Sequence, residues 1–107
     1  MNNILFIAAM LFTVALCAQT QIEPITFSVE RGYLNEPFKL VLSCNTPGAS
    51  IRYSADGSRP SAKVGTVYSE PITIKTTTVI RAVGFKQDFT NSEVGTHTYI
   101  FIEDILK

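Results

Sequence analysis

Short apolar runs separated by turn residues follow one another along the chain after residue 19. They are rich in Val, Ile, Thr, Tyr and Phe, which favour strands. The predicted strands are residues 25–29, 38–44, 50–54, 67–74, 76–85 and 93–101. No ten-residue crossover helix separates any two of these runs, so a parallel sheet is excluded on length. The pattern predicts an all-β fold, an antiparallel sandwich of six to seven strands.

Two of these runs carry further information about their place in the sheets. Pro71 lies inside residues 67–74, and because proline cannot donate to a strand ladder, it predicts an edge or a bend there. Residues 76–85 have apolar side chains on both faces, which favours a central strand.

The first eighteen residues differ from the rest of the chain. They carry no charged side chain and are apolar from Ile4 to Ala18 almost without a break. This is the composition of a secretory signal peptide, and the run is shorter than a membrane span of about 20 residues. Cleavage after Ala18 would place Leu16 and Ala18 at the positions that the signal protease reads. We therefore predict an exported protein, in the periplasm, at the cell surface or outside the cell.

The two cysteines, Cys17 and Cys44, are read differently. The sequence Val-Ala-Leu-Cys ending at Cys17 resembles a bacterial lipoprotein box, although that box prefers a small residue where Leu16 stands. Lipidation of Cys17 is one alternative to cleavage after Ala18. A retained anchor or a mis-called start is the other. Cys44 would be the remaining thiol of the mature chain, so no internal disulfide is expected. Its apolar surroundings predict a small buried hydrophobe.

Composition excludes some classes of partner. Nine acidic residues balance nine basic ones, and no basic cluster occurs. There is thus no electrostatic basis for a nucleic-acid partner or a membrane-surface patch. The length predicts one domain.

The sequence does not supply a complete catalytic constellation. His97 is the one histidine, it falls within a predicted strand, and no Gly-x-Ser-x-Gly elbow accompanies it. One thiol and one histidine cannot complete a zinc site. No glycine-rich phosphate loop precedes a helix. We predict no catalytic residues, no cofactor and no metal.

The strongest candidate for a site is the stretch YSADGSRPS, residues 53–61. A calcium loop would carry acids at alternate positions around Asp56, where Ser54 and Ser58 stand instead. A turn is the better interpretation, because Asp accepts from amides just downstream and glycine takes a positive φ at no steric cost. The residues of this predicted structural turn are Tyr53, Asp56, Gly57, Ser58 and Pro60.

A sugar-binding surface would need exposed aromatic faces. The chain has no Trp but has four Tyr, of which Tyr33 and Tyr68 are the candidates for glycan contact. Tyrosine also fills the cores of sandwiches, so both interpretations stay open.

Residues 47–61, PGASIRYSADGSRPS, resemble the signature of the chitobiase/β-hexosaminidase C-terminal domain family, also called the fibronectin type III-associated domain. Members read as an apolar residue, Arg, Tyr, Thr, any residue and D-G-S-x-P-T, and Ser54 and Ser61 stand here for the two threonines. Residues 71–82, with Pro-Ile and then T-T-T-V-I-R-A, and the ending T-Y-I-F at residues 98–101 are similar to further family segments. The similarity covers about residues 27–101.

The resemblance implies an immunoglobulin- or fibronectin III-like β-sandwich without catalytic residues of its own. Such domains accompany catalytic or anchoring modules in large secreted bacterial proteins, including glycoside hydrolases. We therefore expect a structural or accessory module whose partners are other domains of a larger secreted protein. The alternative is a carbohydrate-binding accessory domain for a chitin-like or cell-wall polysaccharide.

The expected organisation has four parts. They are a signal peptide at 1–18, a short linker and strand lead-in at 19–26, the sandwich at 27–101 and a tail at 102–107. The tail is apolar and acidic without a turn signal. We expect it to be the start of a missing downstream region, so that the sequence is the N-terminal piece of a longer protein or a truncated reading frame.

Mass spectrometry of the exported protein tests the N-terminal prediction. We expect the mature chain to begin at Gln19, because Ala18 is the small residue before the cleaved bond. A fatty-acid label that appears on the wild type and disappears in Cys17→Ser would instead establish the lipoprotein alternative.

Overall fold

The computed structural model describes residues 20–106, which form nine short strands and one short helix. The elements are β1 (Thr26–Phe27), β2 (Gly32–Leu34), β3 (Phe38–Leu40), β4 (Leu42–Ser43), β5 (Ser50–Ser54), β6 (Thr66–Val67), β7 (Ile72–Ile74), β8 (Thr78–Phe85), β9 (Gly95–Phe101) and α1 (Ile102–Leu106). The predicted signal peptide at residues 1–18 and the lipidation candidate Cys17 lie outside the described residues. No helix within residues 20–106 has the length and apolar character needed to cross a membrane.

Two layers of strands face each other across the core. One layer is a five-stranded sheet in the order β2-β9-β8-β5-β6. The other contains two pairs, β1 with β4 and β3 with β7. Because β3 and β4 are successive parts of one extended run, the two pairs belong to the same layer. This confirms the predicted all-β sandwich.

The core lies between the layers and draws on both of them. Leu40, Ile80, Ala82 and Tyr99 have no exposed surface. Full burial of a Leu- or Ile-sized side chain contributes about 1.5–3 kcal/mol, so these positions hold the sandwich together. The whole cluster is Ile25, Phe27, Leu40, Leu42, Ile51, Ile74, Ile80, Ala82, Tyr99 and Phe101.

Local alternation predicted some strands closely and others in part. Predicted strand 50–54 coincides with β5. The predicted strand 38–44 is divided at Val41, because the Val41 amide donates to Ser28 Oγ (2.8 Å) and its carbonyl accepts from the Ser28 amide (2.9 Å). A side chain from a distant part of the sequence thus interrupts the run between β3 and β4.

Pro71 divides the predicted strand 67–74 and sends its two halves to different layers. β6 lies before Pro71 and pairs with β5 at the edge of the five-stranded sheet. β7 follows it and pairs with β3 in the opposite layer. The missing amide of proline therefore falls where the chain changes sheets.

β2 was not predicted, and it pairs in parallel with β9. Residues 31–36 were expected to be a break, yet Gly32 lies opposite Tyr99 and Leu34 opposite Phe101 in a parallel ladder with β9. The exclusion of parallel pairing on length was wrong here, because it applies to runs that follow one another, whereas β2 and β9 are separated by nearly the whole domain. The pairing is possible because the chain leaves β1, crosses between layers and lands on the free edge of β9.

Two contacts fix this crossing. The Tyr99 hydroxyl donates to the Val29 carbonyl at 2.6 Å. Burial, with a smaller effect from Glu30, raises the pKa of Tyr99 to about 12, so the hydroxyl keeps its proton. The ring of Phe27 stacks on the ring of His97 with centroids 3.9 Å apart and planes 6° from parallel. The N-terminal segment is therefore tied to β9 before it becomes β2.

The chain after β9 is held by a polar clasp. Asp104 Oδ2 accepts from the Thr77 amide (2.9 Å) and hydroxyl (2.8 Å), and Thr77 Oγ1 accepts from the Phe101 amide (3.0 Å). A five-residue helix has too few bonds to form alone. The clasp therefore accounts for the order of α1 beside the start of β8.

Protonation of His97 should weaken the fold. Burial lowers the pKa of His97 below its ordinary value of 6.5, with Arg31 acting in the same direction and Glu30 against it. Because the folded state binds this proton less well than the unfolded chain, the stability from neutral His97 is present above about pH 6.5 and is lost as the pH falls through the folded-state pKa. We expect the melting temperature to decrease from pH 7.5 to 5.5.

His97→Gln is the control for that titration. His97 is the only histidine in the chain, and ordinary carboxyl groups titrate at about pH 4, below this window. The variant should lose the pH slope, whatever its absolute stability. An unchanged slope between pH 7.5 and 5.5 in His97→Gln would assign the effect to another group.

Candidate functional site

The loop between β5 and β6 folds across the outer face of the five-stranded sheet. Arg52 and Arg81 alternate with the core residues Ile51 and Ile80, so their side chains lie on the side away from the core. There they bind carbonyl oxygens of the loop. Arg52 donates to Ala62 O (3.0 Å) and Gly65 O (2.9 Å), and Arg81 Nη1 donates to Gly57 O (3.2 Å).

Asp56 organises the start of this loop. Its Oδ1 accepts from the Ser58 amide (3.0 Å) and from the Ser58 hydroxyl (2.7 Å). These bonds lower the pKa of the Asp56 carboxyl below its usual range, and the bond from the Ser58 hydroxyl has the larger effect, followed by the bond from the amide. The carboxyl is therefore ionised at neutral pH. Gly57 follows with a φ of 83°, a conformation that glycine adopts without steric cost. Asp56 thus accepts from the amide two residues downstream.

Pro60, one of the predicted turn residues, also packs inside the loop. It is among the fully buried side chains although it lies in a loop, and it is not a member of the core cluster. Gly65 closes the loop beside it, where an added Cβ would lie 2.9 Å from the Tyr53 carbonyl oxygen and 3.4 Å from Pro60 Cβ. The loop therefore has its own small packed interior.

The sequence analysis did not identify Arg52 and Arg81 as the residues that bind this loop, nor Gly65 as the residue that closes it. The available signal was the placement of each arginine between apolar residues of a strand, in I-R-Y and I-R-A. An arginine at an outward strand position can reach a neighbouring loop. Which carbonyl it binds depends on how that loop folds, and the strand pattern does not contain this information.

A depression opens beside the Asp56 turn. Its volume is about 340 Å³, and it is open to solvent. The lining residues are Tyr53, Ser54, Ala55, Asp56, Ser58, Gly65 and Thr66. Asp56 is the one charged residue in that set. Three of the five predicted turn residues, Tyr53, Asp56 and Ser58, thus line this polar hollow.

The two tyrosines predicted as glycan contacts lie apart. Tyr33 is on β2 and is 69 % exposed. Tyr68 follows β6 at the opposite edge of the sheet, is half-buried against the core and meets the ring of Tyr53 edge to face at 6.3 Å. Four strand spacings of about 4.8 Å put the two edges about 19 Å apart. Tyr33 and Tyr68 therefore do not form one platform.

Other candidate groups are engaged in the fold. Cys44 is half-buried and its Sγ donates to the Glu23 carbonyl at 3.3 Å. His97 lies in the ring stack with Phe27. Within residues 20–106, no three His, Cys, Asp or Glu side chains are grouped so that they could hold a metal ion.

These features define a β-sandwich module whose outer face carries an arginine-clamped loop. The family model described as "Chitobiase/beta-hexosaminidase C-terminal domain" matches residues 29–96, which is more than half of the chain. The chain belongs to this family, as the motif at residues 47–61 predicted. No curated protein and no solved structure matches the chain.

Asp56→Ala tests the structural role of the turn. The variant loses both acceptor contacts to Ser58, and we expect the melting temperature to fall by a few degrees, as for a lost side-chain cap. Asp56→Asn keeps the Oδ1 acceptor and should melt close to the wild type. A melting temperature that rises with added calcium would contradict the turn interpretation and indicate a metal site.

Proposed function

We propose that the protein is an exported, non-catalytic accessory module that spaces or supports a partner domain, such as a glycoside hydrolase, in a larger secreted bacterial protein. The observation that carries this proposal is the family match over residues 29–96. The family is named for the C-terminal domain of chitobiase and β-hexosaminidase. The matched span includes most of the sandwich, from the β1–β2 crossing to the first residues of β9.

The use of polar side chains in the motif supports the proposal. Ser58 donates two hydrogen bonds to Asp56, and Arg52 and Arg81 donate to loop carbonyls. These are the bonds of a scaffold. A catalytic acid or base must instead lie within reach of a reacting atom, with a partner that tunes its pKa.

Export is supported by two separate considerations. The apolar residues 1–18 have the composition of a signal peptide. The family typically occurs in secreted glycoside hydrolases. Both favour a location beyond the cytoplasm.

Carbohydrate binding is the second candidate function. The observation that favours it is Tyr33, an aromatic side chain that is 69 % exposed on an edge strand. Aromatic rings at exposed positions offer a large contact area at low conformational cost. A chitin-like or cell-wall polysaccharide is the ligand class in this hypothesis.

Immunoprecipitation from the native host tests the accessory role. We expect an antibody against the sandwich to precipitate hydrolase activity on chromogenic glycosides from the exported fraction, because the module would be attached to its catalytic partner. The purified chain alone should show no turnover of the same substrates.

The control for specificity is antibody that has first been saturated with the purified chain, which should precipitate no hydrolase activity. Turnover by the purified chain would contradict a non-catalytic module. A precipitate without glycosidase activity would contradict support of a glycoside hydrolase. Recovery of the chain only from the cytoplasm would contradict export.

A further inference from the structure

Strand register places five side chains in one row across the outer face of the five-stranded sheet, with a step of two residues along β9 from Ile100 to Thr98. Tyr33 lies opposite Ile100, Thr98 lies opposite Val79, and Val79 forms a bridge with Asp56. Paired residues of neighbouring strands point to the same side of a sheet. We call Tyr33, Ile100, Thr98, Val79 and Asp56 the outer-face row.

The side of the sheet is set by the core residues that alternate with the row. Tyr99 separates Thr98 from Ile100 and is fully buried in the core, as is Ile80 next to Val79. The row therefore points away from the core. Tyr33 and Asp56 are exposed at its two ends and the three residues between them are partly exposed. From the β2 edge to Asp56 the row crosses three strand spacings, about 14 Å.

The Asp56 end of the row meets the 340 Å³ depression. Both bonds from Ser58 go to Oδ1, and Oδ2 takes part in neither of them. Oδ2 can therefore accept from a ligand without disturbing the turn. The volume is at the lower end of the range for small-ligand sites, about 300–1,000 Å³.

The rim of the depression is held in place before any ligand arrives. Arg52 fixes two carbonyls of the loop, Arg81 fixes a third, and the buried Pro60 lies beside Gly65, which lines the depression. A preformed site avoids part of the entropy cost of ordering a loop on binding.

The chemistry of the row selects a class of ligand. An exposed tyrosine ring can stack on the C–H face of a sugar, and a threonine hydroxyl and a carboxylate oxygen can bond its hydroxyl groups. The negative charge of Asp56 disfavours an anionic ligand. The described residues hold no three-ligand group for a metal. A protein partner would need about 800 Å² of buried surface, and a single row of five side chains does not provide that.

We propose that the outer-face row, together with the depression at Asp56, binds a neutral oligosaccharide chain that lies across the strands from Tyr33 to Asp56. This rests on the second candidate function and assigns it a location and a ligand class. Asp56 then has two roles, since Oδ1 holds the turn and Oδ2 meets the ligand. The turn-only interpretation gave it the first role alone.

Calorimetric titration of the purified exported protein with chitohexaose and cellohexaose tests the site. We expect saturable binding of at least one neutral hexamer. Tyr33→Ala should weaken it about ten-fold, the equivalent of one lost aromatic contact. Asp56→Asn should weaken it by a similar factor while keeping the wild-type melting temperature. Tyr33→Phe retains the ring and should bind normally.

Val41→Ala is the matched control, because Val41 is 43 % exposed in the opposite layer. Its affinity should equal that of the wild type. Wild-type affinity in both Tyr33→Ala and Asp56→Asn would overturn the proposed location of the site. Binding of oligogalacturonate or hexalysine in place of the neutral hexamers would overturn the ligand class.

Absence of binding by the wild type at millimolar concentrations would overturn the proposal as a whole. This outcome is distinct from failure of the accessory role, which the immunoprecipitated glycosidase activity decides separately. A chain that precipitates that activity and binds no hexamer is an accessory module without this site.

Discussion

Burial of both faces of β8 is the constraint on which the rest of the structure depends. Its inner face supplies Ile80 and Ala82 to the core. Its outer face carries Arg81, which holds the loop, and Val83, which is only 2 % exposed. Because β8 also pairs with β9 and β5 on its two edges, the five-stranded sheet, the core and the loop all meet at this strand.

The loop shows how residues of reactive type can serve a structural purpose. Asp56, Ser58 and Arg59 follow closely in sequence, a combination that invites an interpretation as a site. In the fold, Asp56 accepts hydrogen bonds from Ser58. The arginines that bind the loop are Arg52 and Arg81, which lie on strands of the sheet beneath it. Hydrogen bonds with a charged donor contribute about 1.5–3 kcal/mol, more than neutral ones. The outer-face row becomes visible only once the strand register is known.

Features set by neighbouring residues could be predicted from the sequence, and those set by distant ones could not. Alternation sufficed for β5, and Pro71 marked a bend because a missing amide acts locally. The break at Val41 requires Ser28, and the parallel strand β2 requires the edge of β9. For the candidate site, the Asp56 turn could be predicted, whereas the separation of Tyr33 from Tyr68 followed only from the strand order.

Three cations of this sandwich bind carbonyl oxygens. Arg52 and Arg81 hold the loop between β5 and β6, and Lys86 Nζ donates to the Pro47 carbonyl at 2.7 Å. Screening by dissolved ions weakens attraction between exposed opposite charges far more than a short bond from a cation to a peptide dipole. Ionic strength should therefore have little influence on these loops. This suits a module proposed to work outside the cytoplasm, where the cell does not set the salt concentration.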